Sequence, residues 1–313
     1  MQNREVVAVV VAAALAAALA AASGSRLDAQ ARASGTDVWI VPMKQTGIAV
    51  SFGDPRNATA RTGYDNQPSF TAKGDAVMYT STDEKGKTDI WRFTVPDGKP
   101  TRLTNVPTAV YSATAAPDGR TFSVIRVESD SAATQRLWKI PLDGQGTPSL
   151  VLENVKPVGY HVWVNDRTVV VFVLGGGRGA TATPSTLQIA DVRTGTAEIV
   201  AKNVGRALAK VPGREAITFQ QLVKDSLPWI TDLDLHSKQT RPLVQAPAGA
   251  DYHTWTPNGA LLTAAGSLVY RYTDDGWAPV ADFSKFGVKN ITRIAVSPRG
   301  NWLAFVAEDS VSP

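Results

Sequence analysis

One unit recurs along this chain from residue 68 to its end, and a repeat of that length leaves few folds open. Each copy holds a short strand, a turn with Pro, Asp or Gly, an apolar strand, a polar loop, a strand with a central aromatic, a second turn and a short last strand. The clearest copy covers residues 68–104. There, Ala72-Lys73-Gly74 turns the chain into the β-rich run Ala76-Val77-Met78-Tyr79-Thr80. Asp89-Ile90-Trp91-Arg92-Phe93 then alternates as a half-buried strand, and Pro96-Asp97-Gly98 leads to Thr101-Arg102-Leu103.

The turn position of Ala72 recurs at Pro117, Asn165, Pro212, Pro257 and Pro298, with gaps of 45, 48, 47, 45 and 41 residues. A four-stranded propeller blade needs roughly 40 to 45. The third strand recurs in phase at Leu137-Trp138-Lys139-Ile140, Thr186-Leu187-Gln188-Ile189, Trp229-Ile230 and Leu268-Val269-Tyr270. After the last turn only one strand remains, Trp302 through Val306, so the sixth blade lacks its outer half. Asp37-Val38-Trp39-Ile40-Val41 fits the missing third strand and residues 47–51 the fourth. The pattern therefore predicts an all-β, six-bladed propeller of four-stranded blades, closed by N-terminal strands that cover otherwise open sheet edges.

Residues 68–104, Pro117-Asp118-Gly119 with its following apolar strand, and the segment around Ser297-Pro298-Arg299-Gly300 resemble the repeats of the TolB-like family of bacterial periplasmic propellers. The resemblance spans almost all of residues 32–313 and departs in the third and fourth blades, where Asn165-Asp166-Arg167 and Pro212-Gly213-Arg214 replace the usual turn. It implies a periplasmic, usually non-catalytic fold with interaction surfaces. With only residues 32–36 ahead of the first propeller strand, the extra N-terminal domain of TolB itself is not expected here, and fold alone does not assign function.

Residues 6–22 contain only Val, Ala and Leu, follow Arg4, and precede Ala29-Gln30-Ala31. This reads as a signal peptide, residues 1–31, cleaved after Ala31, which leaves residues 32–313 as one exported domain, periplasmic or secreted. An uncleaved anchor is the competing reading. No later stretch is apolar enough to span a membrane. The chain has no cysteine, which excludes a lipoprotein anchor, disulfides and thiolate chemistry. The formal charge of +4 is scattered without a basic run, so nucleic acid is not an expected partner. A monomer is expected, since the blade edges are covered.

Two copies place the same unusual residues where the chain enters the inner strand, at the expected mouth of the central channel: Tyr160-His161-Val162-Trp163 and Tyr252-His253-Thr254-Trp255. Paired imidazoles at a channel mouth could bind a metal, act as acid and base, or hydrogen-bond an anion. Equally, Tyr-His-x-Trp could pack between blades. A zinc site would need a carboxylate from another blade, and no metal or cofactor is expected. Arg126, Glu128 and Arg136 form a second cluster at a strand end, either salt-bridged or facing the mouth. For an anionic ligand, Arg126, Arg136, Arg206 and Arg293 are the candidates. The run Gly175-Gly176-Gly177-Arg178-Gly179 joins two strands and lacks the Lys and helix of a phosphate loop, so it reads as a lip over the mouth. No Gly-x-Ser-x-Gly elbow is present. Three readings follow: a non-catalytic propeller binding a small polar ligand or protein partner through Tyr160, His161, Tyr252 and His253; a hydrolase or lyase using the two histidines with Arg126 as charge stabiliser; or a scaffold whose mouth its own aromatics fill.

Overall fold

The computed structural model describes residues 35–177 and 181–308. The expected leader, its cleavage site and residues 178–180 of the glycine-rich run lie outside these. No helix among the described residues is long and apolar enough to cross a membrane.

Six sheets form the ring. The chain opens with β1 (Thr36–Thr46), β2 (Ala49–Phe52) and β3 (Arg56–Asn57). The first blade is β4 (Asp65–Phe70), β5 (Ala76–Thr82), β6 (Thr88–Thr94) and β7 (Thr101–Arg102). The second is β8 (Val110–Ala115), β9 (Thr121–Val127), β10 (Gln135–Pro141) and β11 (Ser149–Leu150), and the third β12 (Val158–Trp163), β13 (Thr168–Val173), β14 (Thr186–Asp191) and β15 (Ala197–Lys202). The fourth is β16 (Val204–Lys210), β17 (Ala216–Gln221), β18 (Trp229–Asp234) and β19 (Thr240–Gln245). The fifth is β20 (His253–Trp255), β21 (Leu261–Ala265), β22 (Leu268–Thr273) and β23 (Gly276–Asp282). The last two strands, β24 (Arg293–Val296) and β25 (Trp302–Glu308), share the sixth blade with β1.

All six sequence turns join a first strand to a second. Gly74, Gly119, Gly259 and Gly300 occupy the left-handed region at φ between +65° and +85°, which a side chain would disfavour. The third blade manages without glycine because the Asn165 side-chain oxygen accepts the Arg167 and Thr168 N–H groups at 2.9 and 2.8 Å.

Six apolar clusters fill the six spaces between neighbouring blades. Val169, Val171 and Val173 of β13 face the second blade, while Val170 and Phe172 face the fourth. A second strand is thus buried on both faces, which is why it reads as an unbroken apolar run. Closure follows the same rule: Val38, Ile40, Ala304 and Val306 pack against Phe70, Val77, Tyr79 and Phe93 of the first blade.

β1 pairs with β25 from Thr36↔Glu308 to Pro42↔Trp302, as expected. The strand order β2-β1-β25-β24 gives β2 the outer place expected of residues 47–51. β1 runs beyond β25, and β2 pairs only with that extension, Met43–Thr46. The edge beside Trp39 and Ile40 is instead covered by the two-residue β3. The β1–β2 hairpin reaches the turns of its own blade and of the neighbouring fifth: Gln45 Nε2 donates to the Gly300 carbonyl at 2.8 Å and Asn258 Nδ2 to the Gly47 carbonyl at 3.2 Å.

Candidate functional site

The six inner strands enclose a central cavity of about 330 Å³. One repeat position, five residues before each turn, supplies Gln67, Ser112, Tyr160, Ala207, Tyr252 and Arg293. All but Ala207 line the cavity, and in the fourth blade Arg206 lines it instead. The register slips between Val204 and Leu208 on β16, and such bulges re-aim side chains. Similar slips occur beside Gln67, Ser112 and Tyr160. Gln67 and Ser112 also hold left-handed φ values of +57° and +53°, uncommon for residues with a side chain. From this ring the cavity continues between strand walls that include Phe70, Leu208, Ile294 and Val296.

Arg293 dominates the ring. Its Nη2 donates to the Tyr160 hydroxyl at 2.9 Å, a bond between the sixth and third blades, which face each other across the ring. Its guanidinium carbon lies 4.1 Å from the Tyr252 ring centroid and 5.3 Å from that of Tyr160. Burial opposes its charge, yet the Tyr160, Tyr252 and Tyr64 hydroxyls hold its pKa above the ordinary arginine value. Burial pushes Tyr160 up, but Arg293 and then Arg206 outweigh it, and the phenol falls below its ordinary range. The Tyr252 hydroxyl is near enough to feel Tyr160 but has no partner of hydrogen-bond geometry among the described residues, and burial raises it well above the phenol range.

The cavity lining has three cationic side chains, Arg206, Lys210 and Arg293, and no carboxylate. Lys210 Nζ donates to the Val164 carbonyl at 2.6 Å. Arg206 is exposed and makes no hydrogen bond or ion pair among the described residues.

The histidines do different work. His161 Nε2 lies 2.5 Å from Ser123 Oγ of the preceding blade, and Trp163 Nε1 donates to the same oxygen at 2.8 Å. His253 Nε2 and Trp255 Nε1 each meet Thr218 Oγ1 at 2.9 Å. Each Tyr-His-x-Trp is therefore an inter-blade latch in which imidazole and indole converge on one hydroxyl. Burial lowers His161 to about 3 and His253 to about 4, so both are neutral near pH 7. Both Nδ1 atoms are buried without a partner among the described residues.

Arg126, Glu128 and Arg136 lie outside the cavity. Arg126 and Arg136 sit on the middle strands of the second blade and Glu128 directly follows β9, away from the inner strands that meet the axis. Arg126 stacks over Trp138 with its guanidinium carbon 4.8 Å from the centroid, and Trp138 Nε1 donates to Glu128 at 2.7 Å. Trp138 thus occupies the place an Arg126–Glu128 ion pair would take. Arg136 donates to the Glu153 carbonyl at 3.0 Å. The described part of the glycine-rich run folds back through a bridge between Gly176 and Thr183 and is not in the lining. No cluster of three or more His, Asp or Glu that could hold a metal occurs among the described residues. Sequence reasoning missed Gln67 and Ser112, although both share the repeat position of Tyr160, Tyr252 and Arg293.

This geometry defines a six-bladed propeller of TolB-like fold with a cationic channel. Among solved structures, the chain is similar to a protein assigned as TolB from Agrobacterium tumefaciens, with a TM-score of 0.62, 14% identity and coverage of 88% of this chain and 98% of that one. TolB from Acinetobacter baumannii matches at 0.53 with 13% identity over 87% of this chain, which spans 63% of that protein. A gluconolactonase from Xanthomonas campestris matches at 0.60 with 12% identity over 88% and 97% of the two chains. No family model and no curated protein matches the sequence.

Proposed function

We propose that this protein is an exported, non-catalytic propeller that binds a small polar ligand in its central channel. The observation that carries this reading is the ring of polar and charged side chains from five blades, plus Arg206 from the fourth, around a cavity of about 330 Å³. A volume above roughly 300 Å³ with a few convergent polar groups is the usual form of a small-molecule site. The signal-peptide pattern of residues 1–31 supports export. Against catalysis stand the two histidines a hydrolase or lyase would need, each neutral and latched to a hydroxyl of the preceding blade. The gluconolactonase neighbour supports only the shared fold at 12% identity.

The test is saturation-transfer NMR on residues 32–313 with a panel of sugars, amino acids, organic acids and nucleosides, followed by soaking hits into crystals. Density in the channel supports the reading; hits located elsewhere, or none from the panel, contradict it. A protein partner is the second reading. It is favoured by Leu222, Val223 and Leu227 on the loop between β17 and β18, which are 45%, 46% and 43% exposed.

A further inference from the structure

Arg293 carries a guanidinium with five N–H donors and makes one hydrogen bond among the described residues, to Tyr160. A permanent cation taken from water costs several kcal/mol unless something compensates it. Here the compensation is two aromatic faces and a hydroxyl, with no carboxylate in the cavity lining. Arg206, released toward the same cavity by the β16 bulge, has no partner either. Like charge converging on one cavity with unspent donors is a site that favours an anion, because no carboxylate of the lining must be displaced to bind it.

The walls beyond the ring decide what kind of anion. Leu208, Ile294, Val296 and Phe70 line the cavity one to three positions further along the inner strands, past the level of Arg293, interspersed with Ser69, Thr114, Lys210 and Thr254. A bare inorganic ion would leave that apolar surface in contact with water alone. A planar carboxylate matches the guanidinium fork in a two-point geometry, and an organic body attached to it covers the walls. We infer that the channel ligand is a small organic acid, its carboxylate held by Arg293 and Arg206 and its apolar body lying against Leu208, Ile294 and Val296. This inference rests on the channel-binding reading above and narrows it to a ligand class.

Isothermal titration of residues 32–313 with hexanoate, in a low-chloride buffer free of carboxylates, tests it. Hexanamide, glucose and inorganic phosphate are run in parallel. The expected result is saturable one-to-one binding of hexanoate, no binding of hexanamide, at least tenfold weaker binding in Arg206→Gln, and loss of binding in Arg293→Gln. Arg206 is exposed and unpaired, so its variant stays folded and keeps the test decisive if Arg293→Gln is unstable. Hexanoate binding unchanged in Arg206→Gln and in folded Arg293→Gln would overturn the inference, as would phosphate binding without hexanoate binding. Glucose or hexanamide binding that ignores both substitutions would also overturn it while leaving the channel-binding reading in place. No binding by any of the four, with the wild-type chain folded, overturns the organic-acid assignment; a concurrent absence of hits from the wider panel removes the channel reading as well.

Discussion

The two latches set a pH dependence that can be worked out from single residues. An imidazole held near 3 or 4 in the fold and near 6.5 in the unfolded chain takes up its proton first when unfolded. Stability contributed by the neutral form is therefore complete above about pH 6.5 and falls as the pH drops toward the folded values, by about 1.4 kcal/mol per pH unit for each histidine. Urea unfolding at pH 7 and pH 5 should differ by about 2 kcal/mol per latch, and the double variant His161→Gln, His253→Gln should lose most of that difference. Ser123→Ala tests the latch from its other side: it strands an indole N–H and an imidazole nitrogen together and should cost about 2 kcal/mol in chemical denaturation, whereas an exposed serine would cost almost nothing. At the ring, ultraviolet titration should reveal one tyrosine ionising below the ordinary phenol range. That transition should vanish in Tyr160→Phe and move upward in Arg293→Gln, since the guanidinium is what holds the phenolate.

At the level of strands, the closing blade carries the consequence. Ile40 is buried between Ala304 and Arg56 in the register of β1 and faces the first blade. Ile40→Asp places a charge in that interface and should cost more than about 4 kcal/mol, with the thermal midpoint collapsing and the chain aggregating through the opened β25 edge. The strands themselves were legible from the sequence because the turns between first and second strands repeat, and a second strand buried on both faces leaves a continuous apolar run. The added two-residue β3 beside Trp39 and Ile40 was not, since Arg56-Asn57 is too short to carry a strand pattern, and only the length of β1 leaves that edge for it. For the site, position was legible and role was not. His161 and His253 stand out as a pair, but their function depends on Ser123 and Thr218 in the preceding blades, both six residues after the turns at Pro117 and Pro212. Arg206 and Arg293 were separable from Arg126 and Arg136 only by strand: inner strands meet the axis, middle strands do not.

Across the whole molecule, the ring divides its labour. Six interfaces between blades hold apolar side chains, two of them reinforced by latches, and the axis gathers cations that the rest of the chain leaves unneutralised. A protein can keep such a charge only where aromatic faces and hydroxyls soften it, and on the proposed reading the benefit is a site shaped for an anion before any ligand arrives. The direct test is a bromide soak of crystals of residues 32–313 with anomalous data collected at the bromine edge. The account predicts an anomalous peak inside the channel, within contact of Arg293 and Arg206. A channel without bromide, with Arg293 turned onto a carboxylate of the chain itself, would contradict it.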